Sequence, residues 1–265
     1  MNPMLQAQLL ELNRAFYTAV ASEFDQTRGG LPVGWDQLLP WLPTDLDQPT
    51  NVLDVGCGNG RFARFLAHIG HASTYLGVDG EATLLQLAAE QTLGLPHIRT
   101  HFAQVDLAVP GWARGLTERV QLDLAQFELP QFELAQFELI VCLAVLHHIP
   151  GQNLRQQLIN ELGSLLHPHG VLILSNWQFL TSPRLAGKQL PWSTIGVHPA
   201  EVEPGDALLP WQQGVQAVRY VHQLDEAEVN ALAAAAGLKV CTHFYADGKN
   251  GRLNLYSICQ REEPL

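Results

Sequence analysis

The sequence predicts an α/β fold: an open, mostly parallel sheet of seven strands with an antiparallel last strand, helices on both faces, and an N-terminal helical extension. Three observations carry this. From residue 51 onward short apolar runs alternate with amphipathic segments, one strand ending in an acid runs straight into a glycine-rich turn, and the C-terminus reads as a β-hairpin. Strands that alternate with helices pair in parallel with both faces covered, and such sheets bind ligands beyond the carboxyl ends of their strands.

The elements follow in order. Leu5, Leu9, Leu12, Phe16, Val20 and Phe24 recur at helical spacing and predict a helix over residues 4–24, and a second short helix is expected over Trp35–Leu42. Asn51–Val55, Thr74–Val78, Ile98–Val105, Leu139–Leu143 and Val171–Ser175 read as strands one to five. Helices are expected at Arg61–Ile69, Glu81–Gln91 and Gln152–Leu166, the last leading into the turn His167-Pro-His-Gly170. Asp225 can cap a helix through Ala236 that Gly237 ends, and Leu238–Tyr245 and Arg252–Gln260 flank the hairpin turn Asp247-Gly-Lys-Asn-Gly251. This gives an extension over residues 1–50 and a main domain over 51–265, with a variable insertion at about 177–222. Three near-identical copies of Gln-Phe-Glu-Leu lie within residues 125–139; a period of five suits neither strand nor helix, and the extra copies read as a duplication in a surface loop.

Composition narrows the function classes. The longest uninterrupted apolar run, Leu139–Leu146, is far short of the ~20 residues of a membrane span, and the N-terminus shows no export signal. Cys57, Cys142, Cys241 and Cys259 are scattered, with no zinc spacing, so no metal is expected and a cytoplasmic protein with reduced thiols is. The net charge of −11 argues against unaided grip on nucleic acid.

The turn Asp54-Val-Gly-Cys-Gly-Asn-Gly60 brings bare backbone and a helix start up to a ligand. A dinucleotide fingerprint would need a small residue where Arg61 stands, and no phosphate loop is present, so an oxidoreductase is disfavoured. The string Val52–Gly60 resembles the first motif of class I S-adenosylmethionine-dependent methyltransferases. Gly77-Val-Asp79, Val105-Asp106-Leu107, Phe137–Ile149 and Leu165–Ile173 resemble that class's later motifs in order. The resemblance implies a Rossmann-like sheet, S-adenosylmethionine as cofactor, and a cofactor site made of Asp54, Gly56, Cys57, Gly58, Asn59, Gly60, Asp79, Gly80, Asp106, Leu107, Leu143 and Ala144. In it Asp79 would meet the ribose hydroxyls, Asp106 the adenine amino group, and Asp54 the turn or the cofactor's ammonium end. A binding protein that keeps the fold without catalysis is the rival from another class.

The flanks carry a second resemblance. Phe16-Tyr17, Phe24-Asp-Gln-Thr-Arg28 with Trp35, Gly205–Trp211 and Arg219-Tyr-Val-His222 look like the tRNA wobble-uridine carboxymethyl methyltransferases. That family implies esterification of a carboxymethyl group on tRNA, with a small partner protein assisting as in its eukaryotic members; a small-molecule carboxylate or hydroxyl is the alternative acceptor. A carboxylate ionises near pH 4 and is already the nucleophile at pH 7, so alignment rather than a base is the requirement. An arginine fork suits a carboxylate, which makes Arg28, Arg219 and Arg252 candidates, with His222 beside them. His147 and His148 read as structural or site residues, and Trp177 and Trp211 as packing or base-stacking ones.

Overall fold

The computed structural model describes residues 1–27, 29–44, 48–116 and 136–262. Its longer helices are α1 (Pro3–Gln26), α2 (Arg61–His68), α3 (Ala82–Thr92), α4 (Gln152–Leu165) and α5 (Glu226–Ala235). Strands β1 (Thr50–Val55), β2 (Ser73–Asp79), β3 (Ile98–Gln104), β4 (Phe137–Leu143) and β5 (Leu166–Trp177) are followed by β6 (Asp206–Trp211), β7 (Ala217–His222), β8 (Leu238–Ala246) and β9 (Asn254–Arg261). Seven of these form one sheet in the order β3-β2-β1-β4-β5-β9-β8, parallel except for β9, which runs against both neighbours. The chain order reverses between β1 and β4, so the loops after these strands diverge and leave a crevice.

Both sheet faces are covered, as the unbroken apolar runs require. Along β1 the side chains alternate: Val52 packs with Tyr75, Phe62 and Phe65 on one face, and Leu53 with Leu76, Ile159 and Leu162 on the other. Asn2 caps α1 by accepting from the Leu5 N–H at 2.9 Å, with Pro3 in the first turn, where its missing N–H costs nothing. Asp225 caps α5 in the same way through the Glu228 N–H. The segment expected as a second helix is a 3₁₀ run, Val33–Trp41, because Pro40 can neither donate to an α-helical ladder nor fit one. The expected turn at residues 167–170 survives as a bulge within β5: Phe137 pairs with Leu166, but Leu139 pairs with Val171.

One element was not anticipated. β6 and β7 form a separate antiparallel hairpin inside the region expected as an insertion. Leu208 and Tyr220 of this hairpin pack on Leu5 and Leu9 of α1, while Ala207, Leu209 and Val221 pack on Phe179 and Leu185. A buried polar network fastens it below. Arg155 of α4 pairs with Glu203 at 2.7 Å and Glu228 at 2.9 Å, and His222 bridges Asp206 at 2.7 Å and Glu228 at 2.9 Å. Burial pushes the His222 pKa down, but the Asp206 and Glu228 carboxylates outweigh it and leave the imidazole raised. Removing one partner of such a buried pair costs about 3–5 kcal/mol, which makes this network the hairpin's main anchor.

The repeat copies up to Ala135 and the candidate Arg28 lie outside the described residues; the last copy supplies Phe137-Glu-Leu139 at the start of β4. Cys57, Cys142 and Cys259 are buried free thiols and Cys241 an exposed one. Among the described residues no helix is long and apolar enough to cross a membrane.

Candidate functional site

The glycine turn leaves β1 with Gly56, Gly58 and Gly60 all in left-handed conformations, at φ of 72°, 54° and 70°. A Cβ on Gly56 would stand 2.2 Å from a methyl of Val145, so packing as well as φ excludes a side chain there; one on Gly60 would lie 3.1 Å from Ala88, a tight contact added to its positive φ. At Gly58 a Cβ would meet nothing within 4 Å. That open stretch of backbone is what a ligand can approach.

Two acids hold the turn. Asp79, at the end of β2, accepts from the Gly58 N–H and the Glu81 N–H, each at 2.9 Å. Asp54 is buried at the end of β1 and accepts from the Tyr75 hydroxyl. Burial pushes the Asp54 carboxyl up to about 7; the Tyr75 hydrogen bond works against that rise and the Asp79 charge adds to it. A cation placed beside Asp54 would therefore meet a group poised to give up its proton near neutrality.

A cavity of about 1090 Å³ opens over these strand ends. Asp54, Gly56, Cys57, Gly58, Asn59, Asp79, Gly80, Leu107, Leu143 and Ala144 line one end of it. Ala144 is held at φ 62° by its N–H to Ser175. Gly60 and Asp106 are not in that lining: Gly60 faces α3, and Asp106 accepts from Arg14 at 2.7 Å and from the Ala108 N–H at 3.0 Å. Helix α1 runs over this end and touches each loop. Arg14 reaches Asp106, Thr18 donates to Glu81 at 2.6 Å, and Asp25 accepts from Asn59 at 2.7 Å and Gln91 at 2.9 Å.

The other end is a closed belt of side chains. The Arg219 guanidinium stacks 4.8 Å from the Trp177 ring, 5.2 Å from Phe16 and 5.8 Å from Trp211. Trp177 approaches His147 at 6.3 Å, His147 lies 4.3 Å from His148, His148 5.4 Å from Tyr17, and Tyr17 5.1 Å from Phe16, which returns to Arg219. Arg184 and Lys188, both exposed, also line the cavity.

Comparison with known proteins decides the family. The family model described as "Methyltransferase domain" matches residues 29–243. The chain belongs to this family of methyltransferases. With the glycine turn in place its cofactor is S-adenosylmethionine. No curated protein matches it. Among solved structures it is similar to an S-adenosylmethionine-dependent methyltransferase of Methanosarcina mazei, at 18% identity and a TM-score of 0.61 over 85% of this chain and 96% of the other. It is similar to the magnesium protoporphyrin IX methyltransferase of Synechocystis PCC 6803 with bound SAH, at 18% identity and 0.60 over 95% and 99%. The CcbJ methyltransferase of Streptomyces caelestis gives 17% and 0.58 over 93% and 96%. At such identities these likenesses establish the fold.

The methyltransferase does not bring all its substrate candidates together. Arg219 reaches the cavity and His222 does not, because side chains alternate along β7. Arg219 and Val221 face one way; Tyr220 and His222 face the other, where both ring nitrogens of His222 are taken by Asp206 and Glu228. Arg252 lies over the Tyr245 ring at 4.1 Å, outside the cavity lining. Tyr17, Arg184 and Lys188 line the cavity without having been singled out as site residues. For Tyr17 a signal existed: it falls on the face of α1 that carries Phe16 and Phe24 toward the belt.

Proposed function

We propose that this methyltransferase esterifies a carboxylate, and that the carboxylate is the 5-carboxymethyl group of a tRNA wobble uridine. The observation that carries the reading is Arg219, buried among aromatic rings in the wall of the cavity that also holds the glycine turn. A guanidinium there favours a planar anion and stays charged at every working pH. The flanking likeness to the wobble-uridine family supplies the tRNA half of the proposal, and Trp177 and Trp211 line the same cavity.

The residues fit the cofactor. Asp79 has lone pairs left for ribose hydroxyls, Asp54 suits an ammonium group, and the bare backbone at Gly58 admits close approach. Asp106, tied to Arg14 and the Ala108 N–H outside the cavity lining, would have to leave Arg14 to meet an adenine amino group. When bound, S-adenosylmethionine supplies an electrophilic methyl. Arg219 orients the acceptor, the aromatic belt excludes water, and no side chain need take a proton, since the carboxylate is already ionised.

The net charge of −11 favours a second reading, a small-molecule carboxylate at the same Arg219; tRNA would otherwise call on a basic partner protein. Nucleoside mass spectrometry of tRNA from cells with and without the gene separates the two. Loss of the methyl ester, with the free acid accumulating, supports tRNA; an unchanged wobble-uridine profile removes it.

A further inference from the structure

We infer that Tyr17 contacts the acceptor carboxylate and that His148 sets the direction in which its hydroxyl points, an inference that rests on the carboxylate reading above. Tyr17 comes from α1 and His148 from the turn after β4. They meet in the cavity wall with the Tyr17 hydroxyl 2.7 Å from His148 Nε2. The other ring nitrogen, Nδ1, lies 3.2 Å from the Tyr220 carbonyl oxygen. A carbonyl only accepts, so this bond requires a proton on Nδ1 in either charge state of the ring.

The consequence concerns the phenol. With a neutral ring, Nε2 is the acceptor and the Tyr17 O–H points at it, so the phenol oxygen can offer an acceptor group only lone pairs. Protonating Nε2 reverses the bond: the imidazolium donates to the Tyr17 oxygen, and the phenol proton turns to the cavity. Two acceptor classes therefore demand opposite states. A hydroxyl acceptor must lose a proton and needs the neutral pair, which passes that proton through Tyr17 onto Nε2. A carboxylate has no proton to lose and is repelled by phenol lone pairs. It needs protonated His148, so that Tyr17 donates to one carboxylate oxygen while the other attacks the methyl carbon. In that step an oxygen lone pair forms the O–CH₃ bond, the S–CH₃ bond breaks with its electrons passing to sulfur, and no proton moves.

Among the described residues, the groups around the ring include Tyr17 on α1, His147 beside it and the Tyr220 carbonyl on β7, with Arg219 of β7 in the same wall. Arg219 opposes the imidazolium, and the acceptor carboxylate favours it. His148 is thus a positioning residue that acts through Tyr17.

The test follows methyl transfer against pH, using tRNA from cells lacking the gene, for the native chain, Tyr17→Phe and His148→Gln. Nitrogen-15 NMR of the imidazoles gives the tautomer and titration of His148, and calorimetry with S-adenosylhomocysteine checks that each variant is folded. The expected kcat/KM falls as pH rises through the His148 titration. Tyr17→Phe lowers it about 10- to 100-fold, the range for one hydrogen bond to a charged group, and both variants lose the alkaline limb while still binding S-adenosylhomocysteine. A limb that rises with pH, an Nε2–H tautomer, or a Tyr17→Phe chain with native rate and limb overturns the inference while ester formation stands. Absence of ester at every pH, from tRNA and from a small-metabolite extract run beside it, overturns the carboxylate reading, and this inference with it.

Discussion

At the turn end of the cavity, three glycines, two carboxylates and a strand-to-helix junction come from one short stretch of chain and its neighbouring strand, and each is held by backbone hydrogen bonds or close packing. At the other end Arg219, Trp177, His148 and Tyr17 arrive from β7, β5, the turn after β4 and α1, and hold one another by ring and guanidinium contacts. The first arrangement leaves little room to vary without loss of the fold. The second is assembled from parts that can change one at a time. On the proposed reading the cofactor occupies the first end and the acceptor the second, and substitutions at the two ends are therefore expected to separate.

The largest effect is expected at Arg219. Arg219→Met removes the guanidinium and keeps most of the packing. It should lower kcat/KM for a carboxylate acceptor by about 2–5 kcal/mol in transition-state terms, roughly 30- to 5000-fold, with S-adenosylhomocysteine affinity by calorimetry unchanged. A parallel fall in cofactor affinity would show that the two ends are not separable. Next is Gly56→Ala, where φ and the Val145 contact both oppose a side chain. Urea denaturation should register a loss of about 2–4 kcal/mol. Gly58→Ala, with only its backbone conformation to oppose it, should cost about 1–2 kcal/mol.

Asp54 gives a pH dependence. Its folded pKa, raised to about 7, means that the folded chain binds an extra proton between the ordinary carboxylate range and neutrality. Asp54 therefore lowers the stability of the cofactor-free chain as pH rises through that window. A cofactor ammonium needs the ionised form, so affinity should rise between about pH 6 and about pH 8, and Asp54→Asn should flatten the slope. The smallest effect belongs to Arg14→Ala. The Arg14–Asp106 pair is half-exposed at both partners, and its loss should shift stability by about 0–1 kcal/mol, read in the same denaturation experiment.

The turn end could be read from the chain because its determinants are local: the spacing of Gly56, Gly58, Gly60 and Arg61, and acids at two strand ends. The sheet followed because its strands are buried on both faces and read as unbroken apolar runs. The hairpin β6–β7 was hidden for a physical reason. Prolines at 183, 191, 199, 204 and 210 punctuate that region, and the hairpin's partners, α1 and Phe179, are remote in sequence. Without the strand its two faces could not be told apart, and Arg219 and His222 looked like neighbours in one site. Alternation along β7 sends His222 into the Arg155 network instead.

The most direct measurement is transfer of labelled methyl from S-adenosylmethionine, run in parallel on total tRNA from cells lacking the gene and on a small-metabolite extract. If the Arg219 end receives the wobble carboxylate, label enters tRNA as a base-labile ester and Arg219→Met slows its formation by about 30-fold or more. Label that enters only the metabolite fraction, or that survives mild base, would contradict it.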